Sequence, residues 1–225
     1  VLGEFGQASL IALACAAALL VASRFYLQND VDKGLSGSHF AWPTRATVGL
    51  GLLCFLALMI EGSILDWAAI MMRETYQVEA SVAALGFGVY QGGMAVSRFT
   101  GDWIRLRVGA VKMVMTSALM TALSTTAALL APSPGLAIVA FVFAGLGLGN
   151  IVPVLFAGGG RLEPDAPGRG IAAVTTLGYM GFLCGPPLIG LIAQISTLST
   201  ALFLTVAAAL IIALFARRVQ AADGY

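Results

Sequence analysis

The chain has 225 residues, of which 59% are hydrophobic and 10% are charged, and its formal net charge at pH 7 is +1. An ordinary soluble domain has about 25% charged residues, so this composition leaves too little polar surface to cover a water-soluble fold. The basic residues are spread over short segments, which excludes a nucleic-acid-binding surface. We therefore predict an all-α, polytopic membrane protein.

Apolar stretches follow one another along nearly the whole chain. A bilayer core about 30 Å thick requires roughly 20 apolar residues in each spanning helix. Seven stretches reach that length, which predicts seven transmembrane helices. They cover approximately residues 5–23, 47–72, 80–97, 109–131, 135–157, 170–195 and 198–216.

The positions of the basic residues predict the direction of threading. Of the 12 Lys and Arg residues, only Arg73 lies outside the segments that follow the first, third, fifth and seventh stretches. The others are Arg24, Lys33, Arg45, Arg98, Arg105, Arg107, Lys112, Arg161, Arg169, Arg217 and Arg218. Because cytoplasmic loops carry the excess of Lys and Arg, we expect these segments and the C-terminus in the cytoplasm.

A polar linker separates the first stretch from the other six. We predict a transmembrane helix at 1–24, a cytoplasmic linker at 25–45 and a bundle of six helices at 46–225, with the domain boundary in the linker. The chain opens on Val1 and enters an apolar stretch almost at once. We therefore expect it to be a fragment of a longer protein.

The sequence offers little to a catalytic or metal-binding site. Cys15, Cys54 and Cys184 all lie in apolar stretches, where cysteine usually serves as a small buried side chain, and the single histidine, His39, lies in the linker. These residues cannot supply the ligand set of a zinc site or a hydrolytic triad. We predict no enzyme activity, no metal and no cofactor.

Three segments resemble a known family. The segment Ser97-Arg-Phe-Thr-Gly-Asp-Trp-Ile-Arg-Leu-Arg-Val-Gly109 is similar to the basic loop signature of the major facilitator superfamily. Residues 145–153 and 178–190 resemble the tenth and eleventh helices of bacterial members near the fucose-permease-like and drug-resistance branches. The resemblance implies a multi-pass protein of the bacterial inner membrane, formed by helices six to twelve of a twelve-helix transporter whose N-terminal half is missing here.

The resemblance assigns the segment after the third stretch to a cytoplasmic gating loop. Asp102 is expected to pair with Arg98 or Arg105, or to face the N-terminal dipole of a helix that begins near Gly170, and so to latch this face in one state. Alternatively, the arginines only orient the protein and contact lipid headgroups. The residues assigned to the loop are Arg98, Gly101, Asp102, Arg105, Arg107 and Gly109.

Two carboxylates inside the second stretch are the strongest functional candidates. An unpaired Glu61 or Asp66 in hydrocarbon costs about 2.5–3.5 kcal/mol, so such residues usually face a cavity or a partner. They point about 140° apart on a regular helix, but a break at Gly62 and Ser63 would let both line one site. We predict that they handle protons or substrate, whereas Asp66 otherwise anchors the outer helix end beside an interfacial Trp67.

Neutral polar residues and prolines inside the stretches are weaker candidates. The polar ones either line a cavity or bond helix to helix, and they are Tyr90, Gln91, Asn150, Thr175, Thr176 and Tyr179. Helix kinks are expected at Pro153, Gly185, Pro186 and Pro187. Ordinary close packing explains most of the 27 glycines.

Together these features predict a secondary active transporter that moves a small solute by alternating access with H⁺ as the coupling ion. Its partners are the lipid bilayer, the solute and the N-terminal half. A retinal-binding protein needs a lysine in its last helix to form the Schiff base with retinal. The only lysines here, Lys33 and Lys112, lie in or beside loops, which excludes that class. Two alternatives remain. One is a seven-helix sugar facilitator, which would place its linker helix in the middle of the chain. The other is a non-transporting scaffold, which needs no carboxylate at mid-depth.

Overall fold

A computed structural model of the chain describes residues 41–223, together with the helical residues Ala17, Leu20 and Val21. Two units are distinguished, Val1–Gly37 and Ser38–Tyr225. Residues 41–223 all belong to the second unit. The predicted first span, apart from Ala17, Leu20 and Val21, and the linker up to residue 40 lie outside the described residues.

Helices are the only regular secondary structure in residues 41–223, which confirms the predicted fold class. A helix occupies each of the six predicted stretches in this region. The elements are α1 (Val48–Tyr76), α2 (Ala80–Val108), α3 (Ala110–Leu129), α4 (Pro134–Leu148), α5 (Ile151–Leu162), α6 (Pro167–Gln194), α7 (Leu198–Leu214) and a 3₁₀ helix (Ala216–Asp223).

Fewer helices qualify as membrane spans by length and composition alone than the six predicted for this region. Three segments qualify, namely α1, Pro134–Leu162 (α4 with α5) and α6. A fourth is added if α7 and the 3₁₀ helix, bent by 54°, count as one span. The shortfall arises because α7 has only 17 residues, and because glycine and polar residues such as Gln91, Thr121 and Thr125 lower the hydropathy of α2 and α3.

Small residues bring the helices into close contact. The most extensive pairing is between α1 and α6, and α4 packs against both α2 and α3. A methyl group at Gly181 of α6 would overlap the Phe55 carbonyl of α1, and one at Gly145 of α4 would overlap the Tyr90 carbonyl of α2. Without a hydrophobic force between helices in lipid, this close van der Waals packing holds the bundle together.

The predicted gating loop is helical in the structure. Helix α2 runs on to Val108, and the chain turns only at Gly109, whose φ of +79° suits a residue without a side chain. The Leu and Arg residues of this segment favour a helix, and Arg105 and Arg107 in its last turn complement the helix dipole. The boundary predicted at Ser97 was therefore wrong by about three turns.

The prolines act differently in the two helices that contain them. Helix α4 ends at Leu148 and α5 begins at Ile151, so the predicted kink at Pro153 is an interruption of the span. Pro153 has no N–H to donate to the carbonyl four residues earlier, which leaves the Gly149 carbonyl without its helical donor. Helix α6, by contrast, continues through Pro186 and Pro187.

Candidate functional site

Glu61 lies at the middle of α1, roughly 20 Å from either end of the helix. Its Oε1 atom is 3.5 Å from Nη2 of Arg98 on α2, and its side chain is 13% exposed. Its other oxygen, Oε2, is buried and has no hydrogen-bond partner among the described residues. The carboxylate is thus held from one side only.

Arg98 lies within a helix and not in a loop. It is part of α2, about 15 Å from the end of that helix at Val108, and its side chain is 49% exposed. The Glu61–Arg98 pair was not predicted from the sequence, because the apolar stretch ends at Ser97 and Arg98 was assigned to the loop after it. A clue was present, because a carboxylate at mid-depth requires a partner and the helical segment after Ser97 begins with an arginine.

A second contact orients the Arg98 guanidinium. Its Nε atom donates to the Gly149 carbonyl oxygen at 3.4 Å. This is the carbonyl that Pro153 leaves without a helical donor. Arg98 therefore connects Glu61 on α1 with the break between α4 and α5, through two long contacts that a small movement of the helices can make or release.

Two predicted cavity residues of α2 have buried polar atoms, and one of them, Tyr90, lies near this pair. The Tyr90 hydroxyl is fully buried, interacts electrostatically with both Glu61 and Arg98, and has no hydrogen-bond partner within 41–223. Gln91 Oε1 is also buried and unpartnered in this part of the chain. Buried polar atoms normally have partners, so these atoms mark a place where a water or a solute group is expected.

The remaining predicted cavity residues divide between contacts and exposed surface. Asn150 bonds helix to helix, since its Nδ2 donates to Ser97 Oγ at 2.6 Å and its amide packs against Gly101. Thr176 is half-buried on α6, and Tyr179 is exposed on the same helix. Neither side chain forms a hydrogen bond with another of the described residues.

Asp66 does not share a site with Glu61. The predicted break at Gly62 and Ser63 is absent, because α1 is continuous and both residues are buried. Asp66 is exposed and lines a separate cleft between α1 and α6. Trp67, predicted to be an interfacial aromatic, instead connects the two helices by donating from Nε1 to the Pro186 carbonyl at 3.0 Å.

Asp102 forms no ion pair with Arg98 or Arg105 in the described part of the chain. Within the part of the chain that the structure describes, the one ion pair is Glu61–Arg98, and Asp102 is exposed. Arg98 is directed to Glu61, while Arg105 donates to the backbone carbonyl of Ala222. Both arginines therefore have other partners, although their helical spacing would place them beside Asp102.

The carboxylate that does face a helix N-terminus is Asp223. Its Oδ1 accepts from the Ala110 N–H at 2.6 Å, at the first residue of α3. Arg105 and Arg161 both donate to the carbonyl of the preceding residue, Ala222. We call the 3₁₀ helix Ala216–Asp223 the C-terminal strap, because it fastens the ends of α2, α3 and α5 to one another.

The strap also has an apolar face. Ala216, Val219 and Ala222 are each at most 1% exposed. Gly109, which follows α2, lies against Asp223 of the strap. Within the nearby end of α2, the Arg107 guanidinium stacks on the Trp103 ring, 3.8 Å from the ring centre. No packing role was predicted from the sequence for the residues after 216. The three-residue spacing of Ala216, Val219 and Ala222 is nevertheless that of one face of a 3₁₀ helix.

Comparison with known proteins identifies the family. The sequence pattern of the Major Facilitator Superfamily matches residues 50–223. The chain belongs to the Major Facilitator Superfamily. This confirms the sequence resemblance, and it agrees with the exclusion of an enzyme because the family consists of membrane transporters.

Two relatives and one solved structure indicate how much of a family member the chain represents. An MFS-type transporter of Yersinia pestis is 35% identical over 196 residues, which cover 84% of this chain and 51% of the relative. Membrane protein MosC of Rhizobium meliloti is 29% identical over 204 residues, covering 87% and 49%. The chain thus spans about half the length of the curated relatives it matches.

The solved structure supports the fold alone. FucP, an MFS transporter crystallised in an outward conformation, superimposes with a TM-score of 0.67 at 17% identity, over 77% of this chain and 42% of FucP. FucP is a fucose:proton symporter of E. coli.

Proposed function

We propose that this chain is the sixth helix and the second half of a secondary active transporter, which moves a small solute across the bacterial inner membrane by alternating access. The family match and the half-length coverage of the relatives support this proposal. In this arrangement the C-terminal strap and the Arg-rich end of α2 face the cytoplasm, as the distribution of basic residues favours. The N-terminal half supplies the other side of the solute pathway.

The observation that carries the proposal is the half-satisfied carboxylate of Glu61. In its charged form Glu61 is attracted to Arg98, and in its protonated form that attraction is lost. The other titratable groups near Glu61 are Cys54 on its own helix and Tyr90 on α2. Arg98 is the one cation that faces Glu61 from the described helices, so a proton on Glu61 frees the guanidinium for another partner.

Coupling follows from the cost of moving a charge in hydrocarbon. A carboxylate without its partner costs about 2.5–3.5 kcal/mol at mid-depth, so Glu61 exchanges its proton only when water reaches it. If the helices rock so that water reaches Glu61 from alternate sides, each cycle carries a proton across the membrane. The proton gradient then drives the solute, as it does in the fucose:proton symporter with the similar fold.

The test uses the complete transporter in lipid vesicles that contain a pH-sensitive dye. A solute is first selected, from a set that begins with L-fucose, by the rise it causes in the melting temperature of the purified protein. We expect an imposed pH gradient to drive accumulation of that solute together with a proton flux. Accumulation that ignores the gradient would contradict proton coupling, and the absence of any solute movement would favour the scaffold.

A further inference from the structure

The cleft between α1 and α6 contains one charged group in apolar surroundings. Its volume is about 360 Å³, within the usual range for a small-molecule site. The carboxylate of Asp66 lies about 15 Å from the end of α1 at Tyr76, and no cation pairs with it in the region 41–223. The lining residues are Asp66, Trp67, Phe182, Leu183, Pro186 and Pro187.

Hydrogen-bond donors are scarce in this cleft. The indole N–H of Trp67 is already used by the Pro186 carbonyl, and neither proline has an N–H. Pro187 also leaves the Leu183 carbonyl without a helical donor. The groups left over are acceptors, namely the Asp66 carboxylate and a backbone carbonyl. A ligand for this cleft must therefore donate hydrogen bonds.

The charge and the aromatic rings narrow the chemistry further. An unpaired carboxylate favours a cation, and the rings of Trp67 and Phe182 attract a cation over their faces. The aliphatic and proline surfaces suit an apolar body. A sugar fits less well, because it carries many hydroxyl groups and this cleft offers few polar partners for them. An anionic solute would be repelled by Asp66.

We propose that this cleft binds the ammonium group of an organic amine with an apolar body, and that such amines are the substrate class of the transporter. The proposal rests on the proposed function and deepens it. Asp66 binds the ammonium group, and Trp67 and Phe182 contact the body of the amine. Glu61 then remains free to carry the proton, which assigns separate tasks to the two carboxylates of α1.

The experiment measures binding to the purified complete transporter. The probes are benzylammonium and benzyl alcohol, which have similar size and shape but differ in charge. We expect benzylammonium to bind at least about tenfold more tightly than benzyl alcohol, a difference that titration calorimetry resolves. Equal binding of the two probes, or no binding of benzylammonium, would overturn the proposal without the need for any variant.

Variants then locate the site. We expect Asp66→Asn to remove the preference for benzylammonium, and Asp66→Glu to retain it in part. The control is Glu74→Gln, which removes an exposed carboxylate near the outer end of the same helix. A full preference in Asp66→Asn, with the protein folded as judged by its melting temperature, would place the amine elsewhere and refute this site.

The outcome is distinguishable from that of proton coupling. A protein that couples a neutral solute to the pH gradient but ignores benzylammonium would refute the amine site and leave the proposed function intact. A protein that binds benzylammonium at Asp66 but whose transport does not respond to the pH gradient would refute proton coupling and leave the amine site intact.

Discussion

Charged side chains are used differently at the middle of this bundle and at the end that carries the C-terminal strap. At the middle, Glu61 and Arg98 meet at 3.5 Å, and one carboxylate oxygen has no partner among the described residues. At the strap, Arg105 and Arg161 donate to a backbone carbonyl, and Asp223 accepts from a backbone N–H. Charges bound to backbone groups are fixed in place, whereas the Glu61 carboxylate, which is bound only to another side chain, can exchange partners.

We expect this difference to separate residues that stabilise the bundle from residues that work in transport. Substitutions in the strap should lower the stability of the complete transporter and leave the ratio of protons to solute unchanged. Substitutions at the middle should alter transport more than stability. The expected results below run from the largest change in stability to the smallest.

The largest effect is expected for Val219→Asp in the strap. Val219 is fully buried, and an aspartate there would be a charge without a partner, at a cost of roughly 3 kcal/mol. The melting temperature of the complete transporter in detergent should fall by roughly 5–10 °C. The control is Gln220→Asp, an exposed neighbour that should change it little. An unchanged melting temperature for Val219→Asp would mean that the strap does not pack as described.

A smaller loss is expected for Arg98→Ala, which leaves Glu61 without its cation. Because Arg98 is 49% exposed, water partly screens the pair, and we expect a loss of about 1–2 kcal/mol. The double variant Glu61→Gln with Arg98→Ala should recover most of that loss, since it removes both charges. Additive effects of the two single variants would show that the pair is not coupled. Transport should be lost in both Arg98 variants.

Asp223→Asn tests the contact at the start of α3. The variant keeps an acceptor for the Ala110 N–H but loses the charge at the helix N-terminus, so we expect a cost of about 0.5–1 kcal/mol. The loss should shrink as salt is added, because the screening of exposed charges increases. Urea unfolding at low and high salt measures this dependence. A cost that does not depend on salt would contradict the electrostatic explanation.

The smallest change in stability is expected for Pro153→Ala. The alanine N–H would give the Gly149 carbonyl a helical donor, and stability should change by less than about 1 kcal/mol. Arg98 Nε would then lose its acceptor, so gradient-driven transport should fall several-fold while solute binding is retained. Pro134→Ala is the control, because Pro134 is the first residue of α4, where no helical hydrogen bond is lost to a proline. Wild-type transport in Pro153→Ala would exclude a role for this carbonyl.

Much of the fold could be predicted from the sequence, because lipid exposure requires long apolar helices and the turns between them are short. The end of α2 could not be predicted, since an Arg-rich segment after an apolar stretch is equally compatible with a loop and with the last turns of a helix. Helix packing decides between them: Arg105 has a partner only because the distant Ala222 folds back to it.

The candidate site was only half predictable. Glu61 stood out as a titratable residue inside an apolar stretch, and it lies at the middle of α1. Its pairing with Arg98 depends on the register between α1 and α2, and the orientation of Arg98 depends on a carbonyl that Pro153 frees on a third segment. Contacts of this kind join residues far apart in sequence, so local patterns do not contain them.

The central claim is that Glu61 carries the coupling proton, and the most direct test compares two transport modes of Glu61→Gln in vesicles. Exchange of labelled for unlabelled solute requires no net proton movement, whereas accumulation under a pH gradient does. We expect the variant to retain exchange at a rate near that of the wild type and to lose accumulation. Accumulation at the wild-type level would show that another group carries the proton and would contradict the account.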